Sequence, residues 1–169
     1  MQYTQTYLSP LGRILLASDG DALTGLWFEG QKYFGLDPAH EEMDLPVFDE
    51  TKRWLALYFA GAEPDFTPRL AMVTTPFRKL VWETLLTIPY GQTRTYGEVA
   101  AMAAARGDMT RVSPRAVGGA VGHNPISLII PCHRVVGADG SLTGYAGGLD
   151  RKVRLLELEK TDMTVLHMP

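Results

Sequence analysis

The protein has 169 residues, of which 46% are hydrophobic, and a formal net charge of −3 at pH 7. This length suffices for one domain or two small ones, and the sequence contains neither an 18-residue apolar run nor a signal-peptide pattern, so we expect a cytoplasmic protein without a membrane span. Cys132 is the only cysteine, which excludes an internal disulfide and zinc sites built from several thiolates.

The first part of the chain predicts an antiparallel meander followed by a helix. Short β-branched and apolar runs separated by turn sequences occupy residues 3–8, 13–18 and 22–28. Residues 30–46 are polar and contain proline, so we expect irregular structure with at most a short helix there. Apolar residues at helical spacing predict a helix over residues 49–60, which Gly61 should end.

A connection containing two prolines, residues 61–74, separates the two halves of the chain. We place the domain boundary near residues 70–74. The sequence therefore predicts a supporting N-terminal α/β domain, residues 1–72, and a C-terminal domain, residues 73–169.

Charge is unevenly distributed between these halves. Residues 1–74 carry 5 Lys and Arg against 11 Asp and Glu, whereas residues 75–160 carry 11 against 7. The basic second half is typical of a part that contacts phosphate. The alternative is two solvated surfaces of ordinary composition.

Two helices are predicted at the start of the C-terminal half. Thr75 can act as N-cap with Pro76 at the first helical position, and apolar spacing continues the helix for about four turns. Thr95 and Glu98 fit a capping box, and the second helix should run to about residue 105.

A third helix, residues 115–122, is predicted to follow Ser113 and to form a helix-turn-helix with the second. Its small residues are Ala116, Gly118, Gly119, Ala120 and Gly122. Each glycine costs up to ~1 kcal/mol relative to alanine, which makes sense where the backbone approaches something closely. That neighbour is either the protein's own core or the floor of a DNA groove, and Arg115 in the first turn favours the groove.

The sole cysteine follows an apolar run. Residues 126–130 predict a buried strand that Pro131 should end, so that Cys132 lies at the strand end. His133 can serve as its base only if the backbone bends there, or through a water, because neighbouring side chains of a strand point to opposite faces. A reactive thiolate needs such a base. The alternative is a small, buried, inert cysteine.

The last predicted helix covers residues 149–160. Its inward face carries Lys152, Leu155, Leu156 and Glu159. A carboxylate on an apolar face needs a partner, and His133 is the candidate, which gives a relay from Glu159 through His133 and a water to Cys132. The alternative is a solvated glutamate in a frayed last turn.

Several short motifs follow one another along the second half of the chain. They are Pro-Tyr-Gly at 89–91, Thr-Tyr-Gly at 95–97, Arg-Ala-Val-Gly-Gly at 115–119, Asn-Pro at 124–125, Pro-Cys-His-Arg-Val at 131–135 and Tyr-Ala-Gly-Gly-Leu at 145–149. Together they resemble the O6-alkylguanine-DNA alkyltransferases over residues 75–160, and the first 70 residues do so in general layout. The resemblance implies an α/β fold, with a ribonuclease H-like N-terminal domain and a helical C-terminal domain that carries a helix-turn-helix or winged-helix unit.

The resemblance also implies a function: DNA repair by direct reversal. Cys132 would take the alkyl group from O6-alkylguanine, and from O4-alkylthymine as a second substrate, in double-stranded DNA. Such a protein acts once, because a thioether has no easy leaving group and no second cysteine is present. We expect a monomer that needs no cofactor and no metal.

Catalytic roles follow by position. Cys132 matches the family nucleophile and His133 its base, while Glu159, 27 residues after the cysteine, matches the family glutamate. Tyr96 matches a tyrosine that gives its hydroxyl to the guanine ring nitrogen, although simple packing also explains a tyrosine near a helix start.

Binding roles follow in the same way. Arg115 matches the arginine that fills the gap left by a flipped nucleotide, on a helix that enters the minor groove. Asn124 matches the family asparagine, although Asn-Pro is also an ordinary turn signal. The Val135 carbonyl, together with Tyr145 and the Ala146 amide of a loop over residues 143–148, would face the base.

Two features depart from the family pattern. Residues 106–113 lengthen the connection between the second and third helices, and Lys160 stands where the family usually has glycine.

Two other protein classes remain to be distinguished from a transferase. Non-catalytic lesion-binding relatives lack the cysteine, and thiol hydrolases take Cys and His from separate elements around an oxyanion hole. Only the transferase would leave an alkyl group on the protein.

Overall fold

The computed structural model describes residues 1–31 and 35–169. Contacts group these residues into two compact units, Met1–Val73 with Pro125–Ser127, and Thr74–Asn124 with Leu128–Pro169. The segment Pro125–Ser127 belongs to the first unit because Leu26 bonds to it on both sides. The Leu26 amide donates to the Pro125 carbonyl at 2.8 Å, and the Leu26 carbonyl accepts from the Ser127 amide at 3.0 Å.

The first unit contains a four-stranded sheet of order β3-β2-β1-β4. Its strands are β1 (Gln2–Ser9), β2 (Gly12–Ser18), β3 (Leu23–Phe28) and β4 (His40–Glu42). β1 to β3 are antiparallel neighbours, so the predicted meander is confirmed to within one residue at each end.

The fourth strand corrects the prediction of irregular structure between residues 30 and 46. His40–Glu42 pairs in parallel with the start of β1. Its three residues are polar and exposed, so neither alternation nor β-propensity marks them as a strand. The pairing depends on β1, which lies far away in the sequence. Part of the predicted irregular stretch, residues 32–34, lies outside the described residues.

Helix α1 (Pro46–Phe59) begins three residues before the predicted start. Pro46 occupies the first turn, where a missing N–H breaks no helical hydrogen bond. Phe48, Leu55 and Tyr58 are fully buried on one face. Gly61 follows the helix with a φ of +88°, a conformation that favours glycine, which explains why the helix ends there.

The helices of the second unit are α2 (Pro76–Leu85), α3 (Tyr96–Arg106), α4 (Pro114–Gly122) and α5 (Leu149–Leu158). α2 is shorter than the predicted four turns. The capping box of α3 is confirmed, since the Glu98 amide donates to Thr95 Oγ1 at 3.1 Å and the Thr95 amide donates to Glu98 Oε1 at 3.0 Å. The Ser113 hydroxyl caps α4 by accepting from the Ala116 amide at 3.1 Å.

α2, α3 and α4 pack against one another. The indole of Trp82 on α2 donates to the Ala120 carbonyl of α4 at 2.8 Å. Residues 107–113 connect α3 to α4, which is longer than the three or four residues of a typical helix-turn-helix. A Cβ atom on Gly107 would lie 2.7 Å from a terminal methyl group of Leu80, so a larger residue in this connection would require that side chain to move.

The predicted strand over residues 126–130 is wrong. Only Ile126 forms a β-bridge, and the following residues form turns with Leu128 at a φ of +71°. The burial that suggested a strand is real, because Ile126, Leu128 and Ile130 are each at most 1% exposed. A short apolar run does not distinguish a buried strand from a buried turn.

A small parallel pair, β5 (Arg94–Thr95) and β6 (Val135–Val136), joins the start of α3 to the segment after Cys132. The C-terminal segment then returns to the loop that follows β6. The Leu142 amide donates to the His167 carbonyl at 2.8 Å, and the His167 amide donates to the Gly140 carbonyl at 3.1 Å. No helix within residues 1–31 and 35–169 is long and apolar enough to span a membrane.

α5 ends in a Schellman motif at Lys160. The Lys160 amide donates to the Glu157 carbonyl at 2.9 Å, and the Thr161 amide donates to the Leu156 carbonyl at 3.0 Å. This motif requires a left-handed residue, and Lys160 has a φ of +58°. The lysine that stands in place of the family glycine therefore adopts the glycine-like conformation at some conformational cost.

We expect Lys160→Gly to stabilise the protein. The substitution removes left-handed strain of roughly 1–2 kcal/mol and adds chain entropy to the unfolded state, for a net gain of about 0.5–1 kcal/mol. Urea unfolding measures the change. Asp108→Gly is the matched control, since Asp108 has a φ of +52° but aspartate tolerates this region better than lysine. An equal or smaller gain for Lys160→Gly than for Asp108→Gly would contradict this account.

Candidate active site

Cys132 begins a 3-10 helix, Cys132–Arg134, instead of ending a strand. The turn is closed by the Cys132 amide, which donates to the Ile130 carbonyl at 2.8 Å, and by the Arg134 amide, which donates to the Pro131 carbonyl at 3.0 Å. The backbone therefore bends at the proline, as the expected pairing of Cys132 with His133 requires.

The thiol lies in a closed environment. Cys132 is 5% exposed, and burial raises the pKa of its thiol, while a hydrogen bond with Asn124 and the charge of Lys152 oppose the increase. The resting form is therefore the thiol. A nucleophilic role requires that a base remove its proton.

Glu159 and His133 form the pair predicted from the sequence. His133 Nε2 lies 2.6 Å from Glu159 Oε2, and both side chains are fully buried. Burial alone would raise the pKa of Glu159, but His133 and Arg134 together lower it well below its ordinary value, so the carboxylate is ionised. Burial lowers the pKa of His133, and Glu159 works against that shift.

This pairing determines the tautomer of the imidazole. An ionised carboxylate can only accept, so His133 Nε2 carries the proton and Nδ1 presents its lone pair. Nδ1 is buried and makes no hydrogen bond to protein atoms of residues 1–31 and 35–169. It is therefore the nitrogen that can act as a base.

Asn124 connects the end of α4 to the segment before Cys132. Its side-chain amide donates to the Ile130 carbonyl at 2.9 Å, and Asn124 is 5% exposed. This bond holds the turn from which Cys132 projects. The residue is therefore more than a local Asn-Pro turn signal.

The loop after β6 contacts both Tyr96 and His133. The Tyr96 hydroxyl donates to the Thr143 carbonyl at 3.4 Å, and the Tyr145 ring packs edge-on to His133 with centroids 6.4 Å apart. A Cβ atom on Gly144 would lie 3.0 Å from the Tyr96 hydroxyl, and Gly144 has a φ of +68°. Glycine at this position therefore allows the loop to approach the tyrosine.

α4 presents an exposed face. Arg115, Ala116 and Gly119 are exposed, whereas Val117, Ala120 and Val121 point into the core. A Cβ atom built on Gly119 or on Gly122 would meet open space, and one on Gly118 would make only ordinary contact with Tyr96. Packing within the described residues therefore does not require these glycines, which weakens the alternative of a tight internal contact.

Comparison with known proteins assigns the chain to a family. Residues 76–161 match the DNA binding domain of 6-O-methylguanine DNA methyltransferases, and residues 2–72 match the ribonuclease-like domain of the same family. The chain belongs to the 6-O-methylguanine DNA methyltransferase family. This result confirms the resemblance and the α/β fold inferred from the sequence motifs.

Named relatives span nearly the whole chain. The methylated-DNA–protein-cysteine methyltransferase of Mycobacterium tuberculosis is 47% identical over 163 residues, which is 95% of this chain and 94% of the relative. The Haemophilus influenzae protein of the same name is 43% identical over 94% of this chain and 86% of its own length. The crystal structure of Mycobacterium tuberculosis OGT in complex with DNA superposes with a TM-score of 0.83, at 45% identity, covering 94% of this chain and 92% of that chain.

Two buried charged residues of the candidate site, Arg134 and Lys152, were not predicted from the sequence as site residues. Arg134 lies against Glu159, and Lys152 is 0% exposed. Lys152 Nζ donates to the Val135 carbonyl at 2.6 Å and to the Thr143 carbonyl at 2.8 Å, which joins β6 to the loop over the site. The available signal was a lysine on the apolar face of α5, because a buried ammonium must find acceptors.

Lys152 should make the free energy of unfolding depend on pH in the alkaline range. Burial lowers its pKa from 10.5 to about 8, so between these values the unfolded chain holds a proton that the folded protein has released. Stability contributed by this group therefore rises with pH in that window, by up to about 3 kcal/mol. Urea unfolding from pH 7 to 10.5 should show the parent gaining stability over Lys152→Met. Lys160→Met, which removes an exposed lysine, is the control, and parallel curves for parent and Lys152→Met would contradict the expectation.

Proposed function

We propose that this protein repairs DNA by direct reversal, moving an alkyl group from O6 of guanine in double-stranded DNA to Cys132. The observation that carries this proposal is the buried Glu159–His133 pair at 2.6 Å, one residue from the only cysteine of the chain. The names of the relatives support it, since methylated-DNA–protein-cysteine methyltransferases share 43–47% identity with this chain.

The chemistry is a displacement at carbon. His133 Nδ1 takes the Cys132 proton through a water, while Glu159 stabilises the imidazolium that forms. The thiolate then attacks the alkyl carbon, the S–C bond forms, and the C–O6 bond breaks with its electron pair on the guanine. Tyr96 gives its hydroxyl proton to a ring nitrogen, so that the base leaves neutral. The product is a thioether, and each protein molecule reacts once.

The base pocket would be built from backbone groups and the loop. The Cys132 carbonyl accepts from the Val135 amide, and the Val135 carbonyl accepts from Lys152, so each oxygen retains one lone pair for the exocyclic amine of guanine. Tyr145 and the Ala146 amide would cover the base from the loop side. O4-alkylthymine remains a predicted second substrate.

DNA would be bound through α3 and α4 as a helix-turn-helix, with the exposed face of α4 in the minor groove. Ala116, Gly118 and Gly119 leave the backbone free to approach the groove floor, and Asn124 holds the adjoining turn. Arg115 would enter the duplex where the damaged nucleotide has flipped out, which offsets part of the few kcal/mol that extrusion costs. The N-terminal domain would support this unit. A monomeric state and a cytoplasmic location remain predictions.

Mixing the protein with an oligonucleotide duplex that contains O6-methylguanine tests the transfer. Intact mass should increase by one methylene group, localised to Cys132 by peptide mapping. The amount of lesion repaired should stop at one equivalent per active protein. Cys132→Ala should bind the duplex without gaining mass. A binding module would leave both the protein and the lesion unmodified, and a hydrolase would remove lesion beyond one equivalent, so either result would reject the transferase.

Gly119→Ala separates the needs of the fold from those of DNA binding. We expect higher stability, by up to about 1 kcal/mol, because the added methyl meets open space and alanine favours the helix. DNA affinity should instead fall several-fold, since the methyl holds the backbone away from the groove floor. Urea unfolding and duplex titration at fixed salt measure the two effects, and unchanged affinity in a stabilised variant would show that Gly119 does not face DNA.

A further inference from the structure

Arg134 is a charged residue buried inside the site, at 9% exposed. Its Nε donates to Glu159 Oε1 at 2.8 Å and its Nη2 donates to Glu159 Oε2 at 3.1 Å, which is the two-pronged geometry of a strong guanidinium–carboxylate pair. Only arginine offers this planar fork, so a lysine could supply the charge but not the geometry.

The guanidinium is itself fixed by the turn after α2. Nη1 donates to the Ile88 carbonyl at 2.8 Å, and the group lies over the Tyr90 ring at 5.7 Å. The Gly91 amide in the same turn donates to Glu159 Oε1 at 3.3 Å. Arg134 therefore joins the carboxylate to the turn after α2.

These contacts leave Glu159 one orientation. Oε1 accepts from Arg134 and Gly91, and Oε2 accepts from His133 and Arg134. Each oxygen thus has two donors, and the carboxylate cannot rotate without breaking several bonds. The imidazole ring bonded to Oε2 is oriented by the same contacts.

Arg134 also changes the charge that His133 experiences. The groups that face the imidazole are the Glu159 carboxylate, the Arg134 guanidinium, the Lys152 ammonium, the Tyr145 ring and the adjoining Cys132 thiol. Glu159 is the only anion among them. Facing this carboxylate alone, His133 would be drawn toward the protonated form, which cannot accept a proton from a thiol.

We propose that Arg134 is a positioning residue for the transfer reaction, which orients Glu159 on His133 and offsets part of the carboxylate charge that the imidazole faces. This inference rests on the proposed function, because it assigns Arg134 to the reaction that Cys132 performs. The Arg134 guanidinium donates to Glu159 and to the Ile88 carbonyl, so its effect on the reaction passes through Glu159.

Two substitutions separate the geometric role from the electrostatic one. Arg134→Lys keeps a positive charge but loses the fork, so the transfer rate should fall while the acid limb of its pH profile stays in place. Arg134→Gln removes the charge, so the His133 protonation step should move up by about one pH unit or more, and the acid limb of transfer should follow it. Arg154→Gln, which removes an exposed arginine of α5, should change neither quantity.

Two readouts keep the outcomes distinct. The rate of O6-methylguanine repair is measured from pH 5 to 9, and the His133 ring is titrated by NMR in the DNA-free, unreacted protein. An unchanged His133 titration in a folded Arg134→Gln variant, or a parental rate for Arg134→Lys, would overturn the proposal. If Arg134→Gln does not fold, two double variants replace it. Arg134→Gln/Glu159→Gln removes both charges, so its His133 should titrate above that of Arg134→Lys/Glu159→Gln, which keeps the positive charge. An equal or lower titration would contradict the charge argument.

The NMR measurement also separates this proposal from the function on which it rests. A shifted His133 titration in a protein whose parent never gains an alkyl group would support the charge pairing while rejecting the transferase. If the parent transfers alkyl groups but Arg134→Gln leaves the His133 titration unchanged, the transferase is supported and the charge pairing is rejected.

Discussion

The Glu159 carboxylate is the constraint on which the second unit depends. It is an ionised group without access to solvent, and such a group is tolerated only where donors surround it. Those donors come from the 3-10 helix at Cys132 and from the turn after α2, while the carboxylate itself stands at the end of α5. Three segments distant in sequence must therefore meet at one point, and the cysteine is placed as a result.

The elements best predicted from sequence are those whose signals are local. Thr95 with Glu98 marked the start of α3, and Ser113 marked the start of α4, because a capping side chain bonds to the backbone within three residues. The inward face of α5 followed from spacing alone, and that face led to Glu159. The catalytic grouping of Glu159 with His133 could be proposed because a buried carboxylate requires a partner and few candidates existed.

The missed features depend on contacts that no local pattern carries. The strand β4 exists because it pairs with β1, although its own residues are polar. The apolar segment before Cys132 is buried as a turn, and hydrophobicity records burial without recording backbone conformation. Arg134 belongs to the Pro-Cys-His-Arg-Val motif, but its contact with Glu159 forms only because α5 brings that residue, 25 positions later in the sequence, back to the motif. Lys152 similarly acquires its acceptors from β6 and a loop.

The glycines of α4 have a consequence for how the free protein moves. Three glycines in a nine-residue helix remove about 2–3 kcal/mol of intrinsic helix stability, and no internal contact of the described residues requires Gly119 or Gly122. Local opening of α4 should therefore be more frequent than that of α2 or α3, with faster amide exchange. Any DNA contact made through α4 would then have to offset the free energy needed to keep this helix ordered, whether or not the duplex carries a lesion.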